Sequence, residues 1–150
     1  TGVQTCALPI FTPQHAAMMA GAVANDGKMM TPRMIKNLSA TGSIFSGGKS
    51  DKVFKEVLSP GTSGTLKSFM RKVVTEGTGT SAGVKNVRVC GKTGTAEFVE
   101  DGKVKNHSWF VGFIDDASTP YAVAVIVEGA GYGSAHAAPL AGKIFNRLAK

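Results

Sequence analysis

Two strand-like runs, Val87 to about Val99 and Lys103 to Ile114, meet across Asp101-Gly102, a dipeptide that signals a two-residue hairpin turn. A third run, Tyr121-Ala122-Val123-Ala124-Val125-Ile126-Val127, follows the turn at Asp115 to Pro120. It is apolar at every position, which predicts a strand covered on both faces and therefore central in its sheet. These runs commit the second half of the chain to an antiparallel sheet.

The segments around the sheet read as helices. Thr12-Pro13 combines a hydroxyl N-cap with proline at the first helical position. The Ala and Met residues that follow are apolar nearly all round, so this helix is expected to be buried. Asn25-Asp26-Gly27 stops it, and Lys28 to Pro32 reads as an extended connection. Thr41 to Ser50 is rich in Gly and Ser and predicts a surface loop. Ser59-Pro60 opens a second helix, with Leu66, Phe69, Met70, Val73 and Val74 on one face, and Gly77-Thr78-Gly79 ends it. A last helix carries Leu140, Ala141, Ile144, Phe145 and Leu148 on one face. The predicted fold class is α+β: an antiparallel sheet packed against helices.

Composition narrows the function. With 43% hydrophobic and 18% charged residues, a packed core is expected and disorder is not. The formal charge of +7 suits a solvated basic face or attraction to a polyanion. No stretch interleaves Lys and Arg with aromatics as a nucleic-acid platform does, so no nucleic-acid partner is expected. Cys6 and Cys90 make no disulfide framework, and Cys90 reads as a small core residue. His15, His107 and His136 are scattered without metal-ligand spacing, and no metal or cofactor is expected. Trp109-Phe110 reads as core. No apolar run reaches the roughly 20 residues of a membrane helix, and no signal peptide is visible.

The chemistry concentrates in Lys92-Thr93-Gly94-Thr95, where the first strand runs straight into the motif. A lysine at a sheet edge supplies positive potential. Two threonine hydroxyls can donate to a carboxylate, and an edge N–H without a strand partner can aim at an oxyanion. Gly94 lets a substrate approach the backbone closely. An ordinary edge strand with a solvated lysine would look the same in a three-residue match.

Competing motifs fail on context. Gly91-Lys92-Thr93 resembles the end of a phosphate loop, but position 86 is Asn86 where that pattern needs Gly, and no helix follows. Gly77-Thr78-Gly79-Thr80-Ser81-Ala82 fits the dinucleotide fingerprint formally, yet it follows a helix and precedes a strand. Ser46-Gly47-Gly48-Lys49 has nucleophile-to-base spacing, but two glycines make a poor helix to present it, and no Ser-x-Asn occurs in the chain.

Taken together, Thr12-Pro13-Gln14 with the Ala/Met helix, Asn25 to Pro32, Met70 to Thr80, Gly91 to Glu97, Trp109 to Phe113 and Ala137-Ala138-Pro139-Leu140 resemble, in order, a known family. It is the C-terminal part of the transpeptidase domain of penicillin-binding proteins, of the high-molecular-weight class without a glycosyltransferase module. The likeness runs from about Thr12 to Lys150. It implies a sheet like that of penicillin-binding proteins and serine β-lactamases, here incomplete.

The resemblance assigns Lys92 to the serine of a Ser-x-Asn motif and to the electrostatics of the site. It assigns the Thr93 and Thr95 hydroxyls to the carboxylate of a D-Ala-D-Ala peptide or a penicillin, and the Thr95 N–H to half of an oxyanion hole. It implies peptidoglycan stem peptides and β-lactams as partners, no cofactor, an upstream anchor that holds the protein on the outer face of the cell membrane, and contact with division or elongation proteins.

The family's Ser-x-x-Lys helix, Ser-x-Asn loop and first two strands have no match in this chain. Residues 11–150 are accordingly expected to be the C-terminal part of the domain, inactive alone and aggregation-prone through exposed apolar surface. Residues 1–10 read as the translation of a sequencing adapter. A serine β-lactamase, a non-catalytic β-lactam sensor and a basic wall-binding module are the alternatives.

Overall fold

The computed structural model describes residues 11–32 and 52–150. The adapter-like residues 1–10, the Gly/Ser-rich run 41–50 and the Ser46 to Lys49 motif lie outside the described residues. A three-stranded antiparallel sheet is built from β3 (Val89–Glu100), β4 (Lys103–Ile114) and β5 (Ala122–Val127), in that spatial order. Helices α1 (Pro13–Ala24) and α3 (Ala137–Leu148) cover its two faces, and α2 (Pro60–Thr75) packs against β3. A short pair, β1 (Lys28–Met30) and β2 (Val53–Glu56), stands apart as a two-stranded sheet.

The helices begin where side-chain chemistry starts them. Thr12 Oγ1 accepts from the His15 N–H at 3.2 Å, and Ser59 Oγ from the Thr62 N–H at 3.2 Å. In both helices proline follows the cap, as its missing N–H and fixed φ favour. After α1 the chain reverses through Asp26 and Gly27, both at positive φ. A Cβ on Gly27 would lie 2.0 Å from the Leu58 carbonyl oxygen, so glycine is required there twice over.

The hairpin turn is as expected: Asp101 and Gly102 take φ of 52° and 70°, the left-handed pair of a type I′ turn. From it the register runs unbroken from Glu100 opposite Lys103 to Val89 opposite Ile114. Period-two alternation puts Val89, Gly91, Thr93 and Thr95 on the α3 face, and Cys90, Lys92, Gly94 and Ala96 on the α1 face.

The main core lies between the sheet and α3 and contains Val89, Phe110, Ile114, Val125, Ala138, Ala141 and Phe145. Phe110 and Phe145 meet edge to face at 6.3 Å. A smaller cluster of Ala20, Cys90 and Phe113 fills the α1 side. Cys90 is the buried core residue anticipated, and its burial pushes the thiol pKa up, which leaves it protonated and unreactive.

Several expectations are corrected. β4, not β5, is the central strand of the described sheet. The continuous apolar run of β5 reflects cover by α1 on one face and α3 on the other rather than a strand on each side. Lys28–Met30 is more than a connection: it pairs with Val53–Glu56, a strand too short and exposed to show in the pattern. Helix α1 is buried along Ala16, Ala20 and Ala22 only, with Met19 48% exposed. Phe69 and Leu140, grouped on the apolar faces of α2 and α3, lie at exposed margins of those faces, whereas Val74, Ala141 and Phe145 of the same faces are buried.

A chain of ion pairs links the elements away from the core. Lys67 of α2 lies 2.8 Å from Asp26 and 3.9 Å from Asp115, and Arg88 lies 2.8 Å from Asp115. The Lys67 hydrogen bond, followed by its charge, lowers the Asp26 pKa. Asp26 therefore contributes stability above the ordinary aspartate range and loses it as the pH falls through its lowered folded value. Lys67→Met should flatten the acid limb of the stability–pH profile, measured by denaturant titration, and leave the neutral limb with the small change expected of an exposed pair.

The pair Gly91 and Gly112 sits directly opposite across β3 and β4, and the Phe110 ring folds over both. A Cβ on Gly91 would lie 2.2 Å from Phe110 Cζ, and that ring is fully buried. Gly91→Ala is expected to destabilise the fold by about 1–3 kcal/mol, the usual cost of overpacking. The check is the shift in urea midpoint.

Candidate functional site

Strand β3 has β4 on one side and, among the described residues, no strand on the other. Which backbone groups face that open edge follows from the hairpin. In a two-residue hairpin the residues flanking the turn form a hydrogen-bonded pair, and pairs alternate from there. Counting back from Glu100 opposite Lys103, the bonded residues of β3 are Phe98, Ala96, Gly94, Lys92 and Cys90. Thr95, Thr93, Gly91 and Val89 fall in the other class, so their N–H and C=O groups point away from β4.

Side chains at the edge agree with that count. Arg71 Nη1 of α2 donates to the Val89 carbonyl at 2.8 Å, and Lys92 Nζ donates to the Thr93 carbonyl at 2.7 Å. Both acceptors belong to the outward class. At the far side of β4, the Ile114 N–H reaches the Tyr121 carbonyl, as a residue opposite Val89 must.

The expected residues thus sit together on one edge. Lys92 is exposed, and no carboxylate of the described residues lies within ion-pair distance of it. Its charge adds positive potential beside the outward amides. Thr95 is exposed. Thr93 is only 9% exposed, and its Oγ1 lies 2.6 Å from Thr78 Oγ1 in the turn after α2. Gly94 lies against Trp109: a Cβ there would meet Trp109 Cβ at 3.2 Å. The Trp109 ring in turn meets Phe11 at 5.9 Å, so the start of α1 and the tryptophan wall the α1 face beside the motif.

The other face is held from behind. Ser108, opposite Thr95 and fully buried, donates to the Tyr132 carbonyl at 2.9 Å and accepts from the Ala137 N–H at 3.0 Å. It ties the start of α3 and the preceding loop to the central strand. Gly133 of that loop packs flat on the Gly94–Trp109 pair, where a Cβ would lie 2.4 Å from the Gly94 carbonyl oxygen and 2.5 Å from that of Trp109. The backbone at Gly94 is therefore clamped between the loop and Trp109.

Thr78 and Ser108 are the two residues sequence reasoning missed. Gly77-Thr78-Gly79 reads as a helix stop, and nothing local to that tripeptide indicates that its threonine reaches a strand fifteen residues later. Ser108 carried a signal that is plain only in retrospect, a polar residue at an inward position of a core strand. His107 stacks on Phe98 at 4.0 Å and accepts from the Gly129 N–H, a packing role.

The sequence profile of the penicillin binding protein transpeptidase domain matches residues 10–148. Stage V sporulation protein D of Bacillus subtilis is 35% identical over 144 residues, covering 89% of this chain and 22% of that protein. Peptidoglycan D,D-transpeptidase PbpA of Mycolicibacterium smegmatis is 32% identical over 138 residues, covering 87% of this chain and 28% of its own length. Among solved structures, the D,D-transpeptidase domain of a peptidoglycan glycosyltransferase from Eggerthella lenta superposes with a TM-score of 0.68 at 30% identity. That match covers 92% of this chain and 32% of the other. Penicillin-binding protein A of M. tuberculosis, solved as a ceftriaxone acyl-enzyme complex, gives a TM-score of 0.74 at 25% identity over 93% of this chain and 33% of its own. The chain thus spans between about a fifth and a third of these relatives. The β-lactamase alternative is not favoured by these matches.

The register makes a direct prediction. In hydrogen–deuterium exchange read by NMR, the Lys92, Gly94 and Ala96 amides should be protected and the Thr93 and Thr95 amides should exchange fast. Slow exchange at Thr95 with fast exchange at Gly94 would mean that the strand presents its other set of amides.

Proposed function

The chain belongs to the penicillin-binding protein transpeptidase family, and on that premise we propose that it forms the substrate-holding edge of a peptidoglycan D,D-transpeptidase. In the proposed reaction a serine Oγ attacks the carbonyl carbon of the penultimate D-Ala. The C–N bond to the terminal D-Ala breaks, D-Ala leaves with a proton, and an acyl ester remains on the serine. An amine of a neighbouring stem peptide then attacks the ester carbonyl, forms the cross-link, and returns the serine to its hydroxyl form. Penicillin enters at the first step, its β-lactam amide in place of the scissile bond.

The single observation that carries this reading is the outward set of amides on β3 beside Lys92. A tetrahedral intermediate places negative charge on one oxygen, and a fixed N–H at a sheet edge stabilises that charge without reorganising. The Thr95 N–H is assigned to this task. The Thr95 and Thr93 hydroxyls are assigned to the substrate carboxylate, with Gly94 keeping that stretch of backbone clear of side chain. Lys92 raises the potential for both anions and orients a hydroxyl brought from elsewhere in the domain.

The nucleophile, its lysine base and the second oxyanion donor are assigned to parts of the domain outside residues 11–150. The clamp at Gly94 supports the assignment, because an oxyanion donor has to stay fixed to within a fraction of an ångström to act. An outward-facing membrane anchor, stem peptides as donor and acceptor, and wall-assembly proteins as partners complete the proposal.

Labelling with a fluorescent penicillin tests it. The complete protein should take up the label covalently on a serine, and this chain alone should take up none. Lys92→Ala in the complete protein should slow labelling by about a hundredfold or more, as loss of an oriented electrostatic group does. A complete protein that folds yet takes no label would end the reading.

A further inference from the structure

The hydroxyl pair at Thr78 and Thr93 raises a question of proton count. Each hydroxyl carries one proton and can donate once. At 2.6 Å the two share one hydrogen bond, and either oxygen can be its donor. If Thr93 donates to Thr78, Thr93 offers only lone pairs to a ligand at the open edge of β3 and repels a carboxylate. If Thr78 donates to Thr93, the Thr93 proton stays available for a bound anion. The direction of this bond decides whether the first threonine of the motif can serve as a carboxylate donor.

The turn that carries Thr78 has a fixed backbone, although the Thr78 side chain itself is exposed. The Gly77 and Gly79 amides both donate to the Val73 carbonyl, at 3.2 and 2.9 Å, and close the end of α2. A side chain on either glycine would be tight. A Cβ on Gly77 would lie 3.0 Å from Val73 Cα, and one on Gly79 would lie 3.1 Å from Val73 Cγ1 and 3.5 Å from the Phe110 ring. Phe110 is the residue opposite Thr93. The same ring therefore locates the turn and the strand, and with them the two hydroxyls.

We infer that Thr78 is a positioning residue: it donates its hydroxyl proton to Thr93 Oγ1 and so leaves the Thr93 proton for the carboxylate of a ligand bound at the open edge of β3. This inference rests on the transpeptidase reading. Thr93 is nine-tenths buried, so water cannot easily replace a missing donor. Once a carboxylate accepts from Thr93, the two bonds run in series and each polarises the other. The effect is specific to ligands with a negative charge at that place.

The test compares acylation rates of the complete protein and its variants with benzylpenicillin and with its methyl ester, in which the carboxylate is masked. Thr78→Val keeps the shape and removes the proton; Thr78→Ser keeps the proton. Thermal melts confirm that both fold. Thr78→Val is expected to slow acylation by benzylpenicillin about tenfold, the scale of one hydrogen bond, with Thr78→Ser within about twofold of the parent. The loss should appear mainly in the concentration needed for half-maximal rate, and the ester should react at the same slow rate with parent and variant.

Equal rates for Thr78→Val and the parent with benzylpenicillin, or an equal loss with acid and ester, would overturn the inference while leaving the transpeptidase reading intact. A folded parent that benzylpenicillin never acylates would remove the reading and the inference together.

Discussion

The register of one hairpin governs the site. A two-residue turn at Asp101-Gly102 makes Glu100 and Lys103 a hydrogen-bonded pair, and every backbone direction along β3 follows from that parity. A one-residue slip would turn the Thr93 and Thr95 amides into the sheet and send those of Lys92 and Gly94 outward. It would also move each side chain to the other face, putting Lys92 on the α3 face and Thr93 on the α1 face. The buried α3 face enforces the register that the turn begins, because only one alignment puts Val89, Phe110 and Ile114 against the helix.

Phe110 links this register to the rest of the molecule. Its ring occupies the space that side chains on Gly91 and Gly112 would take, contacts Phe145 of α3 and borders Gly79 in the turn after α2. Three separate parts of the chain are thereby referenced to one side chain on the central strand. The site does not depend on a loop finding its own conformation. It depends on a packed aromatic whose displacement would cost several kcal/mol. The clamp at Gly94 works on the same principle, with Gly133 and Trp109 leaving no slack on either face of the strand.

How far the sequence could be read depended on whether the signal was local. The turn at Asp101-Gly102, the caps at Thr12 and Ser59 and the hairpin partners announce themselves through residues a few positions apart, and all are present. The position of β5 was misjudged because an apolar run records only that both faces are covered. Helices on both faces and strands on both edges leave the same trace. Phe69 and Leu140 illustrate a related limit: periodicity identifies a helical stripe, but one residue of rotation decides which of its margins is covered. The motif Lys92 to Thr95 was legible as a motif, and its edge position followed from the strand before it and the turn after it. Thr78 was not, since its meaning lies in a contact across fifteen residues that no local pattern encodes.

That contact also shows why the motif residues alone underdetermine the chemistry. A threonine hydroxyl is both donor and acceptor, so placing it beside a carboxylate does not by itself create attraction. What creates it is an environment that occupies the hydroxyl's lone pair and leaves its proton nowhere else to go. At Thr93 the strand supplies position, burial limits water as a competing donor, and the hydroxyl of Thr78 is the neighbour inferred to supply the proton that sets polarity. At Thr95, which is exposed, water can reorient freely and the backbone amide, whose direction is set by the sheet, is the more dependable donor. The two threonines of one short motif are thus held for a physical reason by different means: one is a buried hydroxyl paired with a neighbouring hydroxyl, and the other has its amide direction imposed by the register.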